Sequence, residues 1–200
     1  MATKKHNLSQ FDSPLPSAAE MRFGIVVAEW NREVTEALLE GAVRTLRAAG
    51  CPDLNIQIKY VPGTFELALG AQFFAEYTDV DAVIALGCVI QGDTRHFDFI
   101  CQGVTQGITQ LQIQWNMPIA FGVLTVNDMQ QALDRCGGQD VPGGARSPPP
   151  ATATRAMKRL RQPSTWSSCR STWKPLPPTT NPTGGTSTDD FGTDIKGSLS

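Results

Sequence analysis

The sequence predicts an α/β fold, a four-stranded parallel sheet flanked by helices, on three observations. Four short apolar runs recur between residues 22 and 124, each of strand length. A stretch with apolar residues at helical spacing follows each run. Polar, glycine or proline residues mark most of the junctions. Strand then helix, four times over, implies parallel pairing, because parallel neighbours need a crossover and a helix supplies it. Such crossovers are right-handed, and ligands bind beyond the carboxyl ends of the strands.

The elements follow in order. Arg22 to Ala28 is apolar throughout after its first residue, as a strand buried on both faces should be. Asn31 is placed to N-cap a helix from Arg32 to Ala49, where Val34, Leu38, Ala42 and Leu46 repeat every four residues and Gly50 stops it. Ile56 to Val61 alternates as a second strand. Pro62-Gly63 turns the chain into a helix from Phe65 to Tyr77, carrying Leu67, Leu69, Phe73 and Phe74. Ala82 to Gly87 is the third strand, followed by a glycine loop and a long helix from Thr94 to Trp115. Pro118 to Leu124 is the fourth, and Asn127 with Gln130 suggests a capping box for a helix through Arg135.

Composition narrows the function classes. Seventeen Lys and Arg against nineteen Asp and Glu give a formal charge of −2, so no bulk attraction to nucleic acid is expected. No apolar run approaches the roughly 18 residues of a membrane span, so no membrane partner is expected either. The N-terminal lysines are not followed by an apolar core, unlike a secretory signal. Five scattered cysteines without a C-x-x-C pair fit a reduced, cytoplasmic chain. Three segments emerge: a flexible arm over 1–20, a folded domain over 21–138, and a low-complexity, disordered tail over 139–200. The tail holds nine of the fourteen prolines, no glutamate, one basic stretch at Ala156–Leu160 and two isolated tryptophans, Trp166 and Trp173.

Chemistry-bearing residues cluster where strands end. After the first strand come Glu29-Trp30-Asn31; Trp30 is either core or a stacking surface for a planar ring. After the second come Thr64-Phe65-Glu66, where Glu66 either complements a helix dipole or hydrogen-bonds a polar ring or polyol. After the third comes Cys88-Val89-Ile90-Gln91-Gly92-Asp93-Thr94-Arg95-His96-Phe97-Asp98. This loop leads into a helix N-terminus, whose free amides attract phosphate, and it places an imidazole, the side chain suited to proton transfer near neutrality, within a turn. Asp98 is a candidate orienting partner or a first-turn acid. The motif is neither a dinucleotide-binding glycine fingerprint nor a Walker loop. Around the fourth strand stand Phe121, blandly a core residue, and Arg135, either a helix-end cation or a phosphate clamp.

Taken together, these clusters closely resemble lumazine synthases, over about Met21 to Gly138. The resemblance rests on Trp30-Asn31, Pro62 to Glu66, Gly92 to Asp98, Phe121 to Thr125 and Asp134-Arg135, in that order. It implies a flavodoxin-like three-layer sandwich. It also implies condensation of 5-amino-6-(D-ribitylamino)uracil with 3,4-dihydroxy-2-butanone 4-phosphate to 6,7-dimethyl-8-ribityllumazine, with no metal and no cofactor. By the same resemblance, Trp30 stacks on the pyrimidine, where many relatives carry Phe. Thr64, Phe65 and Glu66 hold the ribityl chain, and Cys88, Val89 and Ile90 line the ring's polar edge. Asp93 and Thr94 bind phosphate with Arg135, and His96 shuttles protons. Phe121 is expected from a neighbouring subunit of a homo-oligomer, pentamer or 60-mer. Beyond Gly138 the family's Gly-Asn-Lys-Gly turn and alanine-rich closing helix give way to Gln139–Gly144 and a proline-rich stretch. GCC alanine codons read one frame over give proline or arginine, so a shifted reading frame is the expected origin of that ending. Two competing readings are a non-catalytic flavin- or lumazine-binding protein and an inactive product of the shifted frame; His96 and Arg135 argue against a pure binder, since stacking needs neither.

Overall fold

Strand β1 (Phe23–Ala28) is buried at all six positions, and its alternate side chains enter two different cores. Phe23, Ile25 and Val27 join one cluster with Val34, Leu38 and Leu46; Val26 and Ala28 join the other with Leu67, Ala71 and Phe74. A strand covered on both faces must be apolar without alternation, which is what the sequence shows. The computed structural model describes residues 17–137.

Around β1 are built α1 (Arg32–Ala48), β2 (Ile56–Val61), α2 (Leu67–Tyr77), β3 (Ala82–Ile90), α3 (His96–Trp115), β4 (Ile119–Val126) and α4 (Met129–Cys136). All strands are parallel, in the order β2-β1-β3-β4. Helices α1 and α4 line one core, and α2 and α3 the other, which makes three layers of flavodoxin-like order. The chain leaves β1 for β2 on one side and returns to β3 on the other. The crevice at that switch point, between the carboxyl ends of β1 and β3, is where such sheets bind ligands.

All four strands and four helices expected from the sequence are present, with five local corrections. Asn31 stands at the start of α1 but makes no side-chain cap; its backbone is left-handed, at φ 59° and ψ 45°. The cap of α4 is Asp128, whose carboxylate accepts the Gln131 amide at 2.8 Å, one residue later than the Asn127 expected. Strand β3 runs three residues past Gly87, because β4 pairs beside it as far as Ile90↔Val126. Residues 64–66 form a 3₁₀ turn before α2, and α3 begins at His96 rather than Thr94.

Strand β2 lies at the sheet edge, and none of its residues is fully buried despite the alternating sequence. At the other end of the described chain, Ala18, within the expected arm, is buried, and its amide donates to the Ala49 carbonyl at 2.8 Å. The tail over 139–200, with the basic stretch at Ala156–Leu160, Trp166 and Trp173, lies outside the described residues, as does the arm before Ser17. Among the described residues, no helix is long and apolar enough to cross a membrane.

Candidate active site

Three of the four strand ends converge at the switch point. The β1–β3 ladder stops at Val27↔Leu86, whereas β3–β4 continues to Ile90↔Val126. From Gly87 onward the β1-facing edge of β3 therefore has no strand beside it, and groups from the other strand ends take its place. Asn31 donates through Nδ2 to the Cys88 carbonyl at 3.0 Å, and Thr64 donates through Oγ1 to the same oxygen at 3.4 Å.

On the β1 side, the Glu29 and Trp30 amides bond to the carbonyls of Val61 and Pro62, so the chain past β1 still follows β2. This holds the Trp30 indole against Gly63, where an added Cβ would stand 3.6 Å from Cε3 and 3.7 Å from Cδ2. The indole is nonetheless 68% exposed, which sets the core reading aside.

Around the turn after β2, Glu66 Oε2 accepts the Gly63 amide at 2.9 Å and closes the 3₁₀ turn. One carboxylate oxygen thus does the bland structural work, and Oε1 has no protein partner among the described residues. Thr64 is buried and its hydroxyl is spent on Cys88, leaving its backbone to meet a ligand. Phe65 is exposed and rests on α3 at Gly103, where a Cβ would stand 2.8 Å from its Cε2; only glycine admits the ring there.

At the end of β3, the Cys88 side chain is buried, and burial pushes its thiol up to about 11, with the neighbouring Cys136 a second cause. Such a thiol stays protonated and is no nucleophile near neutral pH. Val89 and Ile90 are half-buried, packed into opposite cores, and stand opposite Thr125 and Val126 of β4. Asp93, Thr94 and His96 are all exposed at the start of the 20-residue α3, and the His96 amide donates to Thr94 Oγ1 at 3.4 Å. The first amides of that helix point out of its N-terminus, as anion binding requires.

Phe121, expected from a neighbouring subunit, is set back from this cluster in its own chain. Phe121 is opposite Ala85 in the β3–β4 register and half-buried against the α2–α3 core. It lies three to five residues before Cys88–Ile90, or roughly 10–16 Å along the strand. Arg135 is in the last turn of α4, where Nη1 donates to the Gln131 carbonyl at 2.9 Å. The sequence reading, for its part, gave Asn31 a capping role and missed its bond to β3; its partner is 57 residues away, and no local pattern encodes that. Among the described residues no group of three His, Cys, Asp or Glu stands close enough to hold a metal ion. A cleft of about 660 Å³ lined by α1, Ile58 of β2 and the α4 residues Leu133 and Cys136 contains none of the expected site residues.

A family model for 6,7-dimethyl-8-ribityllumazine synthase matches residues 20–161. The chain belongs to the lumazine synthase family. The lumazine synthase of Parabacteroides distasonis is 55% identical over 140 residues, 70% of this chain and 88% of that one. Those of Cytophaga hutchinsonii and Porphyromonas gingivalis are 51% and 48% identical, over 81% and 80% of this chain and 99% and 100% of theirs. Lumazine synthases are transferases, and the match runs through every strand end described above and on past Gly138.

Proposed function

We propose that this chain condenses 5-amino-6-(D-ribitylamino)uracil with 3,4-dihydroxy-2-butanone 4-phosphate in the cytoplasm, forming 6,7-dimethyl-8-ribityllumazine and releasing phosphate and water, the penultimate step of riboflavin biosynthesis. The observation that carries this reading is the crevice itself. An exposed indole after β1, a β3 edge with no strand beside it, and the loop from β3 into the helix N-terminus bearing His96 all stand at the carboxyl edge of the sheet. The indole stacks the pyrimidine, and Cys88, Val89 and Ile90 line its polar edge. Thr64, Phe65 and Glu66 meet the ribityl chain, with Glu66 Oε1 accepting from its hydroxyls. The amides at Asp93 and Thr94 take the phosphate.

The chemistry follows from that placement. The pyrimidine amine attacks the ketone carbon, and loss of water leaves an imine. Phosphate then leaves by elimination, the resulting enol tautomerises to a ketone, and the second nitrogen attacks that carbonyl and closes the ring with loss of a second water. Each step moves a proton on or off nitrogen or oxygen, and His96 is the group beside them able to carry it. Holding both substrates in one crevice contributes as much or more.

A homo-oligomer, pentamer or 60-mer, completes the site in this reading. Phe65, Leu69, Phe73 and Tyr77 form an exposed apolar face on α2 and its leading turn, larger than a solitary chain leaves open without cause. Phe121, set back from the crevice of its own chain, then serves the crevice of a neighbour, and Arg135 clamps the phosphate. The test is product formation by the full 200-residue chain, followed by lumazine absorbance and fluorescence against the spontaneous reaction. Turnover above background supports the assignment; its absence from a folded assembly overturns it.

A further inference from the structure

We propose that Asn31 is a positioning residue for the aminopyrimidine substrate: its side-chain amide fixes the free edge of β3 relative to Trp30. The substrate and reaction rest on the function proposed above, whereas the tie rests on geometry alone.

Asn31 adopts a left-handed backbone, a conformation that asparagine tolerates better than most residues. In it, the Asn31 carbonyl accepts the Val34 and Thr35 amides at 2.9 and 3.1 Å and opens α1. The side chain is thereby turned away from the helix it would otherwise cap, and Nδ2 reaches the Cys88 carbonyl at 3.0 Å. Thr64 Oγ1 donates to the same oxygen at 3.4 Å, from the turn after β2. Gly87 makes room for that approach: a Cβ there would stand 2.8 Å from Thr64 Oγ1 and 2.9 Å from Leu67 Cδ1.

One carbonyl, with two acceptor positions, thus joins the ends of β1, β2 and β3. Its use by the protein has a consequence for the ligand. In a parallel strand the backbone groups of alternate residues face the same neighbour. With the Cys88 carbonyl occupied, the next polar backbone on that edge belongs to Ile90, and the Asn31 bond sets its distance from the indole one residue away. An amide donor is required, because an acceptor at this position would oppose the carbonyl.

The experiment compares the full-length wild type with Asn31→Gly and Asn31→Asp. Glycine keeps the left-handed backbone without strain and removes the amide; aspartate keeps the shape and replaces the donor with an acceptor. For Asn31→Gly the expected result is a KM for the aminopyrimidine raised about five- to tenfold, the worth of one hydrogen bond. The KM for the butanone phosphate should stay within about twofold, with little change in Tm. Aspartate should raise the aminopyrimidine KM further. Hydrogen exchange of the peptide over residues 87–91 should quicken in both variants. Unchanged exchange there in Asn31→Gly overturns the proposal, whether or not the wild type turns over. A parallel rise of both KM values with a fall in Tm also overturns it, by assigning Asn31 a merely structural role. A wild type without turnover sinks the proposed function and leaves the exchange comparison to decide the tie.

Discussion

Cys88 shows how one residue divides its parts between scaffold and site. Its carbonyl gathers two strand-end side chains, and its buried thiol is pushed up to about 11. Iodoacetamide at pH 8 should therefore modify Cys101, partly exposed on α3, well before Cys88, as peptide mapping by mass spectrometry would read. The same shift couples stability to pH. Between the ordinary thiol value of 9.0 and about 11, the unfolded chain releases a proton that the folded chain keeps. Stability present below pH 9 is thus lost as pH rises through that window. A Cys88→Ser variant should show a flatter Tm profile there, and an identical profile would remove Cys88 as the cause. For His96→Ala, the expected outcome is a kcat lower by about 10²- to 10⁴-fold with residual turnover above background, because the crevice still holds both substrates. Full activity would end its role as proton shuttle. His96, Trp30 and Glu66 were legible as candidates because each stands at the end of an apolar run. The exposure of the Trp30 indole, which sets the core reading aside, was not, since it depends on Gly63 and the chain beyond β2.

At the scale of elements, termini are where sequence and structure part. The third strand was expected to end at Gly87, yet β3 continues through the apolar Cys88-Val89-Ile90, with β4 paired beside it to its end. The α4 cap moved by one residue, since either Asn127 or Asp128 satisfies the sequence rule and only the backbone decides. Asp128→Ala should cost about 1 kcal/mol in denaturant unfolding, whereas Asn127→Ala should cost much less. Gly122 is a stricter requirement of β4. A Cβ there would meet the Ala85 carbonyl oxygen at 2.7 Å and Leu86 Cδ2 at 2.6 Å. Backbone cannot yield as a side chain does, so Gly122→Ala should destabilise by about 1–3 kcal/mol, and a neutral result would show that β4 can shift along the sheet.

For the molecule as a whole, the exposed α2 face sets the expectation for assembly. Phe73 is 51% exposed, and its ring is tilted 49° to that of Tyr77 at a centroid distance of 6.0 Å. Phe73→Asp should lower the mass seen by analytical ultracentrifugation to that of smaller species and reduce turnover with it. A variant of unchanged mass would place the subunit contact elsewhere. The sequence by itself determined the fold class, the four strands and helices, and the strand-end clusters, because burial on two faces and helical spacing are written in local periodicity. It also carried the family resemblance, through motifs that each lie within one loop. Only the tertiary structure decided that Asn31 bonds to β3 rather than capping α1, and that β3 outruns β1. Those facts depend on register and on contacts between residues distant in the chain, and register is fixed by how whole strands pack, which no short stretch of sequence encodes.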